Sequence, residues 1–167
     1  TCNYNAMASA ITMQIKKKHE QIPQSKNEVL LLSTVFDYFS PTPIGFEYFA
    51  STIVKMILRN VTELDVTRPW RDGGRDAIGK LRVGRENSNI LIDFAVEAKC
   101  YDFQKTSVGV KEVSRLISRI KLREFGVLVT TSYIHGQAYE EVIVDRHPIL
   151  FITGKDIVDT LKEHGFG

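Results

Sequence analysis

Three charged residues near the middle of the chain have the types and spacing that hydrolytic chemistry needs. Glu97 and Lys99 stand two residues apart near the end of the apolar stretch "ILIDFAVEAKCY", and Asp76 directly precedes the stretch "AIGKLRVG". Side chains on a strand alternate between its two faces, so Glu97 and Lys99 project from the same face. Taken alone, such a Glu-x-Lys pair is more often a solvated ion pair at the end of a strand.

Asp76 supplies a second carboxylate and changes that interpretation. It opens a strand that we expect to lie beside the Glu97 strand, and neighbouring strands are about 4.8 Å apart. Two carboxylates at that separation repel each other, and a divalent cation relieves the repulsion. Mg²⁺ favours one or two carboxylates together with water and phosphate oxygens, and an adjacent lysine can orient water or stabilise charge on a phosphate. Asp76, Glu97 and Lys99 therefore predict metal-assisted hydrolysis of a phosphodiester.

The distribution of charge predicts an anionic partner, although the net charge is only +2. Basic residues fall into two short groups. They are Arg68, Arg71, Arg75, Lys80, Arg82 and Arg85 in the first group, and Lys111, Arg115, Arg119, Lys121 and Arg123 in the second. Contacts from arginine and lysine to phosphates would hold a nucleic-acid backbone across the site. The alternative for each group is an ordinary solvated surface.

Length and composition indicate a globular protein with a sizeable core. The chain has 167 residues, of which 43% are hydrophobic and 25% charged. No apolar run approaches the length of a membrane span, and the first residues do not resemble a signal peptide. The two cysteines, Cys2 and Cys100, are too few for a disulfide framework or a zinc site. We therefore expect reduced thiols and a cytoplasmic location, with no membrane partner.

The order of apolar patterns predicts an α/β fold. It reads helix, three strands, helix, strand, helix, strand, helix, which gives a mixed β-sheet flanked by helices on both faces. The first three strands can form a meander, and the long third strand should be central. An earlier helix is expected over Asn27 to Phe39, with Asn27 as its N-cap, and the prolines in "SPTPIG" predict a linker. We therefore divide the chain into a helical extension with linker over residues 1–45 and a domain over residues 46–167.

The spacing of the three charged residues also resembles a known family. Asp76, a gap of twenty residues and then Glu97-Ala98-Lys99 is similar to the Asp-x20-(Glu/Gln)-x-Lys pattern of PD-(D/E)xK nucleases. The stretches "GFEYFA", "VTRPWRDGGRDAIG", "DFAVEAKCY", "VGVKEVSRLISRI" and "FGVLVTTSYIHGQAYEE" resemble the Mrr-like cleavage domain of modification-dependent restriction endonucleases of the MspJI and AspBHI type. The resemblance covers roughly residues 44–165. It implies a restriction-endonuclease-like fold and a site-specific endonuclease that cuts DNA with Mg²⁺ or Mn²⁺.

The resemblance also implies roles for individual residues. Asp76 and Glu97 would bind the metal together with the backbone carbonyl of Ala98, and Lys99 would position the water. Glu47 matches the glutamate that such domains often carry on their first helix, and its alternative is an ordinary surface position. The DNA contacts that we predict come from the basic groups and from the loop after the Glu97 strand. They are Arg71, Arg75, Lys105, Arg115 and Arg119.

Partners and alternatives follow from the same reasoning. The substrate would be double-stranded DNA, methylated DNA included. Since one site cuts one strand, a double-strand break needs two copies and predicts a homo-oligomer during cleavage. Whole enzymes of this type carry an N-terminal domain that flips out and reads a methylated cytosine, and 45 residues are too few for it. We therefore expect the cleavage half of such an enzyme. The alternatives are a non-cleaving DNA-binding module on a degenerate nuclease fold and a structural domain with an ion-pair network.

Overall fold

The computed structural model describes residues 14–67, 76–120 and 124–166. These ranges form one five-stranded sheet with helices around it. The helices are α1 (Lys18–Gln21), α2 (Lys26–Phe39), α3 (Pro43–Ile57), α4 (Val110–Ile117), α5 (Gly136–Val144) and α6 (Gly154–Glu163). The strands are β1 (Val61–Val66), β2 (Ala77–Arg85), β3 (Ser88–Lys99), β4 (Phe125–Thr130) and β5 (Ile149–Ile152). Within the described ranges, no helix has both the length and the apolar character that crossing a bilayer requires.

The sheet has the predicted mixed topology, with strands in the order β1-β2-β3-β4-β5. Strands β1, β2 and β3 form an antiparallel meander, and β3, β4 and β5 are parallel. Strand β3 is central: its Val96 pairs with Ala77 on one side and with Val127 on the other. The segment from Phe94 to Glu97 is buried throughout, as expected for a strand with neighbours on both edges and helices on both faces.

Helices cover both faces of the sheet, which confirms the predicted fold class. On one face α3 and α6 pack against β3, with Phe46, Ile53 and Ile157 fully buried. On the other face α4 and α5 bury Val113 and Tyr139 against β3, β4 and β5. Burying a large apolar side chain contributes about 1.5–3 kcal/mol, so these two layers hold β3 firmly in the middle of the domain.

The helix boundaries differ from the sequence expectations at the N-terminal side. Helix α2 begins at Lys26 because Ser25, and not Asn27, is its N-cap: the Ser25 hydroxyl accepts a hydrogen bond from the Glu28 N–H at 3.4 Å. The linker predicted over residues 40–45 is shorter, because Pro43 is the first residue of α3. Proline suits this position, where the missing N–H would have no helical partner.

Helix α2 packs on the same body as the sheet. Its Leu32 is fully buried beside Ile22 and Val158, and Val35 belongs to the core around β3. The division predicted after residue 45 stays a prediction about the organisation of the chain. At the N-terminal end of the described residues, the chain becomes helical at Lys18, the first residue of α1.

Helix α4 is also shorter than its sequence pattern, which predicts a helix as far as Phe125. It ends at Ile117 with Ser118 as its C-cap. The following N–H groups bond three residues back, from Arg119 to the Leu116 carbonyl at 3.0 Å and from Ile120 to the Ile117 carbonyl at 3.2 Å. Such bonds tighten the last turn. Arg119 therefore lies beyond the last residue of α4.

Candidate active site

Asp76 is held in place by its own backbone and side chain. It directly precedes β2, and its N–H donates to the Val96 carbonyl at 3.1 Å while its carbonyl accepts from the Thr67 N–H at 3.0 Å. Its carboxylate oxygen Oδ2 accepts a hydrogen bond from the Ala98 N–H at 2.6 Å. Neighbouring strands on both sides thus fix the aspartate beside the end of β3.

The structure brings the three predicted residues together. The Lys99 Nζ lies 3.0 Å from Glu97 Oε1 and 4.0 Å from Asp76 Oδ2. The same-face placement predicted from strand alternation is confirmed. The Glu97 side chain is only 1% exposed and that of Lys99 is 19% exposed, so solvent screens their charges weakly.

The two oxygens of the Glu97 carboxylate have different surroundings. Oε2 accepts a hydrogen bond from Arg119 Nη1 at 2.8 Å. Oε1 is buried and accepts no hydrogen bond from the described residues. The Lys99 ammonium at 3.0 Å from Oε1 is therefore a close ion pair whose angles lie outside those of a hydrogen bond. Oε1 retains the capacity to bind another cation.

A cavity of about 250 Å³ opens beside these groups. Glu47, Asp76, Ala98 and Lys99 line it, so the helix α3 glutamate faces the same space as the strand residues. Its other lining residues, which we did not select from the sequence, are Ser40, Pro43, Phe46, Cys100 and Tyr101. Cys100 and Tyr101 directly follow Lys99 in the sequence, and this adjacency could have identified them as residues that line the cavity.

Two of the carboxyl groups are poorly compensated. Burial raises the pKa of Asp76 above its ordinary value, and the Glu97 charge raises it further. The Ala98 N–H, Lys99 and Arg119 lower this pKa, but they do not cancel the rise. Burial likewise raises the pKa of Glu47, with a second contribution from the Asp76 charge. A carboxyl whose ionised form is disfavoured in this way is stabilised by an additional cation.

The oxygen groups fit a hard divalent metal that keeps much of its own water. Among residues 14–67, 76–120 and 124–166, no three His, Cys, Asp or Glu side chains form a group that could hold a metal ion. The donors that the family resemblance implies are the Asp76 carboxylate, the Glu97 carboxylate and the Ala98 carbonyl. Mg²⁺ is commonly bound in this way, by one or two carboxylates together with waters and substrate phosphate.

The predicted DNA contacts have different positions in the structure. Arg115 is exposed on α4, and Lys105 is exposed on the loop after β3, where its Nζ lies 3.3 Å from Asp102 Oδ2. Arg119 is 14% exposed and bound to Glu97. Arg71 and Arg75 lie outside the described residues. The DNA contacts of all five residues stay predictions.

Sequence reasoning missed the contact between Arg119 and Glu97. The continuous helical pattern placed Arg119 on the same outer face as Arg115. In the structure the chain tightens into a turn after Ile117, and the Arg119 side chain contacts Glu97 on β3. The only available signal was the serine at position 118, a residue type that often bonds to a nearby backbone carbonyl at the end of a helix; here its hydroxyl donates to the Arg115 carbonyl at 2.8 Å.

The mixed sheet and the cluster of Asp76, Glu97 and Lys99 at the end of β3 are typical of the restriction endonuclease class, and a family comparison agrees. Residues 40–161 match the Mrr_cat family, described as a restriction endonuclease. The chain therefore belongs to the Mrr_cat restriction endonuclease family, and the resemblance seen in the sequence is confirmed. A search among curated proteins found no match.

Two solved structures are similar to the chain. The DNA modification-dependent restriction endonuclease AspBHI has 46% sequence identity and a TM-score of 0.86, over 99% of this chain and 45% of that one. The MspJI restriction endonuclease, in complex with a 27-mer oligonucleotide, has 26% identity and a TM-score of 0.81, over 92% of this chain and 35% of that one. The chain thus spans less than half the length of either relative.

Proposed function

We propose that this chain is a cleavage domain that hydrolyses DNA phosphodiester bonds with the help of Mg²⁺, within a modification-dependent restriction enzyme. The observation that carries the proposal is the lysine ammonium of Lys99 lying 3.0 Å from Glu97 and 4.0 Å from Asp76 at the end of β3. Membership of the Mrr_cat family supports the reaction class. The oligonucleotide bound to MspJI supports DNA as the substrate.

Asp76, Glu97 and the Ala98 carbonyl would hold the metal. The buried Glu97 Oε1, which has no hydrogen-bond donor among the described residues, is the ligand best prepared for it. A bound Mg²⁺ or Mn²⁺ would lower the pKa of an attacking water and would offset the negative charge of the phosphate. A bound cation would also favour the ionised form of Asp76, whose pKa is raised mainly by burial and to a lesser extent by the Glu97 charge.

Lys99 carries the next part of the reaction. Its ammonium donates a hydrogen bond that orients the attacking water and stabilises charge that builds on the phosphoryl oxygens. The water oxygen adds to phosphorus in line with the bond to the 3′ oxygen, which breaks and leaves a 3′ hydroxyl and a 5′ phosphate. Glu47 lines the same cavity and would act there as an auxiliary carboxylate.

The predicted basic residues would bind the duplex around this site. Lys105 is exposed on the loop after β3 and Arg115 is exposed on α4, and Arg71 and Arg75 precede Asp76 in the sequence. Contacts to phosphates from these side chains would position double-stranded DNA, methylated or not, without reading its sequence. One site cuts one strand, so two copies of the chain would act together to break a duplex.

A cleavage assay tests the proposal. Methylated and unmethylated plasmids are incubated with the wild type, Lys99→Ala and Lys162→Ala, with Mg²⁺ or with EDTA. Lys162 is the matched control because it is an exposed lysine paired with Glu28 and lies outside both basic groups. We expect the wild type and Lys162→Ala to cut only with Mg²⁺ and at rates within about twofold. Removing one stabiliser of the transition state typically costs about 10²–10³-fold, and we expect at least this loss for Lys99→Ala.

Two results would contradict the proposal. A wild type that neither nicks any plasmid nor binds a divalent metal is not a metal-dependent nuclease. A wild type that binds DNA tightly, with or without metal, and never cuts it is the non-cleaving module considered as an alternative.

A further inference from the structure

We infer that Arg119 is a positioning residue that orients the metal ligand Glu97, an inference that rests on the proposed function. The Arg119 Nη1 donates to Glu97 Oε2 at 2.8 Å, and the opposite oxygen, Oε1, is left buried without a hydrogen-bond donor among the described residues. One oxygen is thus held by a hydrogen bond from Arg119, and the other, 3.0 Å from the Lys99 ammonium, keeps its lone pairs for a metal ion. A freely rotating carboxylate would not keep this distinction.

The burial of the pair makes this contact strong and specific. The side chains of Glu97 and Arg119 are 1% and 14% exposed, so water competes weakly for either partner. Hydrogen bonds between ionised groups are about twice as strong as those between neutral ones. The planar guanidinium also fixes the direction of its N–H groups, which a flexible lysine ammonium does not. Arg119 therefore sets the orientation of the carboxylate as well as compensating its charge.

The end of α4 is built to bring Arg119 to β3. Leu116 is buried, and the Arg119 N–H bonds to its carbonyl at 3.0 Å. Strand β4 has a glycine, Gly126, beneath this turn, where a Cβ atom would lie 2.8 Å from Ile120 Cδ1 and 3.0 Å from Leu116 Cδ2. The absence of a side chain at Gly126 lets the turn approach the sheet closely enough for Arg119 to reach Glu97 on the neighbouring strand.

A positioning role and a DNA contact predict different measurements. Loss of a residue that orients a metal ligand typically lowers metal affinity or activity by about 10–100-fold. Loss of a phosphate contact instead lowers DNA affinity in the absence of metal. Metal binding by the chain without DNA therefore separates the two roles.

The test measures Mn²⁺ affinity of the DNA-free chain by electron paramagnetic resonance for the wild type, Arg119→Lys, Arg119→Met and Lys111→Met. Lys111 is exposed on the same helix, so Lys111→Met controls for the loss of one positive charge. We expect Arg119→Met to weaken Mn²⁺ binding by about 10–100-fold and Arg119→Lys to fall between it and the wild type. Lys111→Met should stay within about twofold of the wild type. DNA affinity in EDTA should change less than about twofold for Arg119→Lys, and saturating Mn²⁺ should restore its cleavage.

The outcomes distinguish failure of this inference from failure of the proposed function. If the wild type binds Mn²⁺ and cuts DNA while both Arg119 variants bind Mn²⁺ equally well, the inference is overturned and the nuclease remains. If Arg119→Lys loses DNA affinity in EDTA but keeps its metal affinity, Arg119 is a DNA contact. A wild type without Mn²⁺ binding or cleavage overturns both. Circular dichroism checks the fold of each variant, and Arg119→Lys alone decides the result if Arg119→Met is unfolded.

Discussion

Two glutamate–lysine pairs of nearly equal length lie on the same sheet. Lys80 Nζ is 3.2 Å from Glu63 Oε2 across β1 and β2, and Lys99 Nζ is 3.0 Å from Glu97 Oε1 within β3. Their surroundings differ. The side chains of Lys80 and Glu63 are 42% and 57% exposed, whereas those of Lys99 and Glu97 are 19% and 1% exposed.

The difference shows that the same residue types at nearly the same distance do not make two ion pairs equivalent. The pair on β1 and β2 is an exposed cross-strand contact, which typically contributes about 0–1 kcal/mol. The pair on β3 lies close to Asp76 and Arg119, and all four side chains are largely buried. The free energy needed to remove buried charges from water can exceed the free energy gained from their attraction. An arrangement that stability alone does not explain is typical of functional sites.

The largest contrast is expected when each glutamate is removed. In EDTA, Glu97→Ala leaves Lys99 and Arg119 partly buried without their shared anion, and breaking a buried pair typically costs about 3–5 kcal/mol. Glu63→Ala should lower the free energy of unfolding by no more than about 1 kcal/mol. Urea unfolding of the two variants measures both values. Similar small losses would mean that the buried pair is solvated as well as the exposed one.

A change of opposite sign is expected at Asp76. Because burial raises the pKa of Asp76 in the folded chain, the folded state holds the proton more tightly than the unfolded state. Protonated Asp76 therefore contributes its full stabilisation below the ordinary aspartate pKa of about 3.9. This stabilisation is lost as the pH rises through the pKa that Asp76 has in the folded chain. Asp76→Asn removes this cost while its amide oxygen can still accept from Ala98.

We thus expect Asp76→Asn to unfold at a higher temperature than the wild type at pH 7 in EDTA, and the gap to close as the pH is lowered towards 4. Scanning calorimetry at several pH values measures this. Mg²⁺ should raise the melting temperature of the wild type and leave that of the variant unchanged. A variant less stable than the wild type at pH 7 would show that the ionised carboxylate is already well compensated.

Two arginines extend the comparison of exposed and buried charge to DNA binding. Arg115 is exposed on α4, whereas Arg119 is bound to Glu97. Arg115→Ala should weaken DNA binding in EDTA and reduce the salt dependence of log K by about 0.9, the value for one lost phosphate contact. Fluorescence anisotropy at several salt concentrations gives the slope. If Arg115→Ala leaves the dependence of log K on salt unchanged, the outer surface of α4 does not contact DNA phosphates.

The smallest effect concerns the exposed pair itself. A double-mutant cycle with Lys80→Ala and Glu63→Ala should give a coupling energy of about 0.2–1 kcal/mol at low salt. The coupling should vanish near 1 M salt, where the Debye length is about 3 Å. If the coupling energy persists at high salt, the Lys80–Glu63 pair is shielded from solvent in the same way as the Lys99–Glu97 pair.

The general plan of the fold and the identity of the strand residues could be predicted from the sequence. Strand alternation is a local property, so it placed Glu97 and Lys99 on one face without knowledge of the rest of the fold. Long apolar runs likewise identified β3 as central. The contact between Asp76 and the Ala98 N–H follows from the register of β2 against β3, in which Ala77 pairs with Val96, and sequence patterns do not set that register.

The partner of Arg119 could not be predicted because it depends on packing. Periodicity continued past Ile117 and favoured a longer helix, but close contact of Leu116 and Ile120 with Gly126 accompanies the tightened turn in the structure. The start of α3 at Pro43 was missed for a related reason. Proline breaks the interior of a helix but is favoured at its first position, and the sequence pattern does not distinguish the two cases. Helix ends are decided by such local alternatives, more than by apolar spacing.

The two backbone bonds of Asp76 have a practical consequence. The Asp76 N–H donates to the Val96 carbonyl and the Asp76 carbonyl accepts from the Thr67 N–H, so neither bond involves the side chain. A substitution of Asp76 therefore changes the carboxylate and leaves both backbone bonds available. The position is suited to exchanging one chemical group while the neighbouring backbone keeps its attachments.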